Sequence, residues 1–426
     1  MPVRKAIFVL LALTLGLSPL GCRLAQVKEA AASSKPRIAN PQVGDADLTK
    51  LVEGNTGFAF DLYRALSAGD GNLFYSPYSI SLALAMTYAG ARGETEQQMA
   101  ETLRFLLGQE ALHQAFNGLD QQLAARGQGA AGKDGEGFRL NIVNAVWGQR
   151  DYEFLDAFLD TLAENYGAGI RLLDYIKEPE KSRVTINDWV SEQTEERIKD
   201  LIPPGAIDIL TRLVLTNAIY FNAAWQTPFA EDATADGSFR LLDGSQVTVP
   251  MMHLTESLGY GRGEGYQALE LPYDGGELSM VVLLPDEGGF ARFEEALDAG
   301  LLAAALEAIA DAQVRLCMPK FEFDSEFSLK NTLAEMGMPV AFSDAADFSG
   351  MTGNRELTIS EVIHKAFVGV DEAGTEAAAA TAVIMRLTAA PAEPPVEVTI
   401  DRPFVFLIRD IETGTVLFVG RVLNPA

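Results

Sequence analysis

Residues 371–381 read Asp-Glu-Ala-Gly-Thr-Glu-Ala-Ala-Ala-Ala-Thr, between a run at 363–370 that alternates as a strand does and the proline-rich stretch 390–395. No other segment limits the fold as sharply. Local propensity alone favours a short helix, because four alanines follow a Thr-Glu start. The β-branched strand before it and the prolines after it suit an exposed, extended loop instead. A run of side chains this small can slide between packed strands without clashing, which is what a moving strand needs.

The chain has 426 residues, enough to bury a large core, and shows no internal repeat. Asp and Glu number 59 against 33 Lys and Arg, for a net charge of −26, and no basic block interrupts them. Nucleic acid is therefore not expected as a partner.

At the start, Arg4 and Lys5 precede an apolar run at 6–17 and then Ser-Pro-Leu-Gly before Cys22. This is the pattern of a secretory leader, too short for a membrane span. A cysteine directly after a small residue resembles a bacterial lipoprotein site, which implies lipidation of Cys22, although Pro19 stands where that pattern prefers leucine. Simple cleavage to a soluble exported product is the alternative. The expected division is a signal peptide at 1–21, a flexible tether at 22–46 rich in Ala, Ser and Pro, and one folded domain at 47–426. The expected location is outside the cytoplasm, as a membrane-anchored lipoprotein or an extracellular or periplasmic protein. The other cysteine, Cys317, lies in a strand-like run and reads as a buried, inert thiol. Two cysteines, one of them at the leader's end, leave no disulfide framework.

Apolar spacing predicts helices over 57–67, 79–89, 154–166 and 184–201. Long β-rich runs occupy 211–221 and 269–284, the second broken by Pro272 and Gly275-Gly276 as in a hairpin. Two apolar strands flank residues 411–414. Helices early and long strands late indicate an α+β domain with mixed sheets.

The motifs of catalysis are missing. His113, His253 and His364 are the three histidines, and none lies in a metal-binding pattern; there is no Gly-x-Ser-x-Gly elbow, and the glycines at 261, 263 and 265 lack dinucleotide spacing. Neither a cofactor nor a metal is expected. A hydrolase without a recognisable motif is the alternative from a different functional class, exposed by a protease assay on the pure protein.

Gly374, Thr375, Glu376, Ala377, Ala378, Ala379, Ala380 and Thr381 resemble the hinge of the reactive loop in serpins, and nearly match the inhibitory consensus of that family. Four further blocks resemble serpin blocks in serpin order: residues 72–80, residues 215–221 with Trp225 and Pro228-Phe229, residues 362–366, and residues 402–406 onward to Gly420. Together they cover roughly residues 48–426. The resemblance implies three sheets and about nine helices around one large central sheet, with a reactive loop at about 371–402. It also implies a shutter beneath the middle of that sheet, formed by Ser76, Ser79, Asn217 and His364. A breach would lie where the loop first enters, formed by Trp225, Lys320 and Glu372, the last of which also belongs to the hinge. Period-2 alternation independently places His364 on one face with Val362, Ala366 and Val368, where a satisfied core histidine is the ordinary reading.

The activity implied is suicide-substrate inhibition of a serine protease, held as a covalent acyl-enzyme while the cleaved loop inserts into the central sheet. Thr375, Ala377, Ala379 and Thr381 would face inward, and none is large or charged. That favours an inhibitor over a non-inhibitory serpin acting as chaperone, carrier or store. An inserted strand of roughly fifteen residues at about 3.3 Å each places the scissile bond near Thr388-Ala389, which suits an elastase-like or subtilisin-like protease. Arg386-Leu387 is the alternative and would mean a trypsin-like target. The acidic balance argues against the basic patch through which some serpins bind heparin. A monomer is expected, with strand swapping as the hazard of a metastable sheet.

Overall fold

The computed structural model describes residues 30–128, 130, 139–194, 196–375 and 394–426. In chain order the strands are β1 Ala30–Ala31, β2 Leu73–Tyr75, β3 Arg139–Gln149, β4 Ile170–Leu173, β5 Leu213–Ala224, β6 Ala235–Arg240, β7 Gln246–Gly263 and β8 Tyr266–Pro272. They continue as β9 Leu278–Pro285, β10 Ala310–Pro319, β11 Phe321–Ser328, β12 Glu361–Val370, β13 Gly374–Thr375, β14 Val396–Thr399, β15 Phe404–Asp410 and β16 Val416–Val422. Ten α-helices accompany them among the described residues.

Seven strands form the central sheet in the order β1-β4-β3-β5-β13-β12-β11. Nine more form a second ladder, β14-β10-β7-β8-β9-β15-β16-β2, with β6 beside β7. The third sheet implied by the resemblance is continuous with the second, because the 18-residue β7 pairs in turn with β6, β10 and β8. The hairpin expected at 269–284 is β8–β9, turned by Gly275 and Gly276 at φ of 91° and 67°.

The helix α1 spans Asp45–Leu66 and α2 spans Pro77–Tyr88. Every residue of α2 is buried, and its sequence carries no charge, as suits a helix with no solvent face. It packs against β3 and β5 of the central sheet and β16 of the other ladder, so its N-terminus lies beneath the middle of the central sheet. The other face of that sheet is covered by the helix Pro179–Gln193, with Ile186 and Val190 packed in a separate apolar cluster that includes Trp147, Val214, Ala218 and Ile363. Arg171 lies over the Trp189 ring at 4.3 Å.

Three expectations need correction. Helix formation predicted over 184–201 runs instead from Pro179 to Gln193, after which Glu196 and Asp200 take left-handed φ values of 63° and 51°. Residues 30–44 of the expected tether are held to the domain. Ala30 and Ala31 pair with Arg171 and Ile170, the Ile38 amide donates to the Glu164 carbonyl at 2.9 Å, and Arg37 reaches Asp120 at 2.7 Å. α1 then begins at Asp45, earlier than apolar spacing indicated, because its first turns are polar. Finally, Cys317 is half-buried rather than buried, with its Sγ 3.9 Å from Nε2 of the exposed His253; partial burial and then the nearby Asp401 carboxylate push its thiol pKa up, away from reactivity.

Candidate functional site

Strands β5 and β12 run parallel from Val214↔Glu361 to Ile219↔Ala366 and then part. Into the fork comes β13, antiparallel to both, with Gly374 opposite Ala224, and Thr375 opposite Ala223 on one side and Val370 on the other. The chain reverses through residues 371–373, where the Asp371 carboxylate accepts from the Ala373 and Gly374 amides at 2.8 and 3.1 Å. Only glycine fits at 374: a Cβ there would lie 2.1 Å from the Ala223 carbonyl oxygen.

The expected breach residues meet at this turn. Trp225 is buried; its amide donates to the Ala373 carbonyl at 2.8 Å and its indole N–H to the Asp371 carbonyl at 3.0 Å. Lys320 Nζ donates to Glu372 Oε2 at 2.6 Å, and Thr234 Oγ1 donates to the other carboxylate oxygen at 2.7 Å. Burial raises the Glu372 pKa, but these two hydrogen bonds outweigh it and hold the carboxyl below its usual range. Tyr273 was not foreseen. Its ring stacks on Trp225 at 4.7 Å and its hydroxyl reaches Thr375 Oγ1. Nothing local separates it from any other core tyrosine, so its role emerges only from packing. Thr234 likewise carried no sequence signal.

Below the fork lies the shutter, and all four expected residues come together there. His364 and Asn217 are a register pair of the parallel β5–β12 ladder, and His364 Nδ1 hydrogen-bonds Asn217 Oδ1. His364 Nε2 accepts from the Ser76 amide at 3.2 Å, so the ring proton belongs on Nδ1 and is donated to Asn217. Burial pushes the His364 pKa down to about 3, which keeps the ring neutral. Ser76 caps α2, its Oγ accepting from the Ser79 amide at 3.1 Å, with Pro77 in the first helical turn. Asn217 Nδ2 donates to Ser79 Oγ at 2.5 Å and also contacts Asn144 Oδ1. Asn144 is the member that the sequence reading missed, although an asparagine within the apolar strand Ile142-Val143-Asn144-Ala145 is itself a signal, since strands are depleted in asparagine. The cluster cross-links the two strands that would have to separate for β13 to lengthen. Such a network favours one strand arrangement, because opening it strands buried polar groups.

Of the hinge, Glu372, Gly374 and Thr375 are placed; Glu376, Ala377, Ala378, Ala379, Ala380 and Thr381 lie outside the described residues, as do Arg386, Leu387, Thr388, Ala389 and Cys22. Among the described residues no group of His, Cys, Asp and Glu could hold a metal ion.

A sequence profile described as "Serpin (serine protease inhibitor)" matches residues 53–425. The chain belongs to the serpin family. This serpin is 40% identical over 376 residues to an uncharacterised serpin-like protein of Thermococcus kodakarensis, covering 88% of this chain and 86% of that one. It is 39% identical to the leukocyte elastase inhibitor of Homo sapiens, over 89% of this chain and all of the inhibitor. Among solved structures, uncleaved ovalbumin superposes with a TM-score of 0.78 at 26% identity, covering 88% of this serpin and 100% of ovalbumin. Human thyroxine-binding globulin in complex with its hormone gives 0.78 at 32% identity, covering 89% and 100%. The serpin fold is thus common to this chain and to these neighbours, and the fork with its breach and shutter is built within it.

Proposed function

We propose that this serpin is a suicide-substrate inhibitor of a serine protease, with an elastase-like or subtilisin-like enzyme as target. The observation that carries the reading is the placement of Gly374 and Thr375 in the fork, ahead of a run of alanines. Continuing that register down β5 brings Met385 opposite Leu213, the first residue of the strand. Full insertion replaces the parallel β5–β12 pairs with antiparallel ladders on both sides of the new strand. Each added hydrogen bond contributes about 0.5–1.5 kcal/mol net, so roughly ten further residues supply on the order of 10 kcal/mol. The uninserted state is then held kinetically, with the shutter as part of the barrier.

The chemistry begins as ordinary proteolysis. The protease serine attacks the carbonyl of Thr388, the bond to Ala389 breaks, the new amino terminus leaves with the C-terminal fragment, and Thr388 remains esterified to the protease. Freed of its far tether, the hinge inserts and carries the protease to the opposite end of the sheet before water can cleave the ester. Met385 at the sheet's end leaves Arg386, Leu387 and Thr388 as the reach between sheet and protease, which agrees with a cut after Thr388. Cleavage at Arg386-Leu387 is the competing site. Leukocyte elastase inhibitors among the relatives support an elastase-like target.

Incubation with elastase tests the reading. A covalent band that survives boiling in detergent, with release of a peptide beginning at Ala389, is expected. Digestion without a covalent band or loss of protease activity would instead favour a non-inhibitory role, of which a solved neighbour that binds thyroxine is one example.

The same proposal includes export through the leader at 1–21, attachment to a membrane through a lipidated Cys22, and action as a monomer. The basic start, apolar run and small residue before Cys22 support the first two. Cys22→Ser should move the protein from the detergent to the aqueous phase on Triton partition.

A further inference from the structure

Residues 30–43 run from the outer edge of the central sheet to the start of α1, and the surface beneath them is shaped to receive them. β1 extends the sheet beyond β4 through the pairs Ala30↔Arg171 and Ala31↔Ile170. Ser33 Oγ donates to Asp160 Oδ1 at 2.5 Å, and Lys35 Nζ lies 3.0 and 3.1 Å from the Asp160 and Glu164 carboxylates, both on the helix Asp156–Tyr166. On the helix Gln109–Ala124, Arg37 donates to Asn117 Oδ1 at 2.8 Å and to Asp120 at 2.7 Å, and the Asn40 amide donates to Gln121 Oε1 at 3.2 Å. Glycine stands at both ends of the path: a Cβ on residue 169 would lie 2.8 Å from the Ala31 carbonyl oxygen, and one on residue 118 would lie 2.9 Å from a Val43 methyl.

The two ends of this segment belong to different sides of the fork. β4 is joined through β3 to β5. α1, which the segment enters at Asp45, packs on β16; β16 pairs with β2, and β2 packs on β12 and β11. Admitting a strand between β5 and β12 widens that gap by about 4.8 Å. Hydrogen bonds made at about 2.7–3.2 Å do not survive a displacement of that size. The helices Asp156–Tyr166 and Gln109–Ala124 also touch directly, Asn117 Nδ2 reaching the Glu164 carbonyl at 3.3 Å, and residues 35–40 reinforce that junction from outside.

We propose that residues 30–43 act as a strap that resists opening of the central sheet and so helps to set the rate at which β13 lengthens. The inference rests on the insertion between β5 and β12 proposed above. It divides the barrier between the shutter, at the middle of the sheet, and a segment fastened across its far edge. Lys35 and Arg37 supply the charge half of the fastening, against Asp160, Glu164 and Asp120.

Uptake of a fluorescein-labelled peptide with the sequence of residues 376–388 by the intact full chain, followed by fluorescence anisotropy, reads sheet opening without any protease. The double variant Lys35→Glu, Arg37→Glu should take up the peptide at least about fivefold faster than wild type, as expected when part-exposed ion pairs are lost and repulsion replaces them. A second double variant, Ser33→Cys with Asp160→Cys, should take it up at least about fivefold more slowly when oxidised than when reduced, a comparison made within one folded protein. Equal rates across these forms, including no uptake by any of them, would overturn the strap. The covalent band with elastase is a separate readout: a chain that forms no band, yet takes up peptide faster when the strap is loosened, keeps the strap and loses the inhibitor.

Discussion

The Tyr273 hydroxyl stands 2.7 Å from Thr375 Oγ1, inside the top of the central sheet. Both residues are buried, and the same tyrosine ring stacks on Trp225, whose amide and indole N–H hold the turn that delivers Thr375. One side chain thus joins the wall of the breach to the first inward residue of the hinge. The placement of the hinge in the fork is a packed arrangement with its own hydrogen bonds.

Tyr273→Phe should keep the ring stack and remove the hydroxyl, leaving Thr375 Oγ1 unpaired at its present position. The hinge should then leave the fork more often, by about 1 kcal/mol or roughly fivefold. Amide hydrogen exchange at Thr375 is the measurement. Unchanged protection would show that backbone pairing with Ala223 alone retains the hinge.

Thr375→Arg should expel β13, since a guanidinium cannot be buried at a site that is 1% exposed without a partner. On the proposed function this variant becomes a substrate, cleaved in the loop without forming a covalent complex, because insertion slows below deacylation. Wild-type levels of detergent-stable complex would mean that the insertion register is mistaken.

Histidine titration should govern stability between neutral and mildly acidic pH. The folded-state pKa values of His364 and His113 are lowered to about 3 and about 4, against about 6.5 in an unfolded chain. Below about pH 6.5 the unfolded state takes up protons that the folded state refuses. Stability present above that pH is therefore lost as pH falls toward the folded values, by about 2 kcal/mol per histidine at pH 5. Urea midpoints at pH 7.5, 6 and 5 should fall in that order; a flat series would contradict the burial of both neutral rings.

Exchanging the loop residues separates the two cut sites. If the bond is Thr388-Ala389, Thr388→Arg should create trypsin inhibition and abolish elastase inhibition, while Arg386→Ala changes little, because the primary pocket reads the residue that donates the scissile carbonyl. Trypsin inhibition by the native protein that vanishes with Arg386→Ala would move the bond to Arg386-Leu387. It would also shorten the reach beyond Met385 by two residues.

Much of the site was legible because its parts carry local signatures. Ser76 before Pro77 is a helix start whatever lies around it, and alternation alone puts His364 on the face with Val362, Ala366 and Val368 and Ile363 on the other, where it joins the cluster under the helix Pro179–Gln193. The lysine beside Glu372 followed from matching one short motif to another. By contrast, Tyr273, Thr234 and Asn144 join the site through contacts of 102, 138 and 73 residues in separation. No window of sequence contains both ends of such a pair.

Residues 30–44 show the same division from the other side. Their composition, poor in large apolar side chains, reads as a tether because it supplies too little burial to order itself. Their partners, Arg171 and Ile170 for β1 and Glu164 and Asn117 for Ile38, are supplied by parts of the domain distant in sequence. Composition, periodicity and the hinge motif therefore determined the α+β class, the family and the small-residue hinge, all of which are properties of neighbouring residues along the chain. The tertiary structure alone decided that Gly374 and Thr375 sit in the fork, that His364 meets Asn217 across the strands below it, and that residues 30–44 are anchored. Each of these depends on which distant surface offers an unpaired hydrogen-bonding group, and only the assembled sheets determine that.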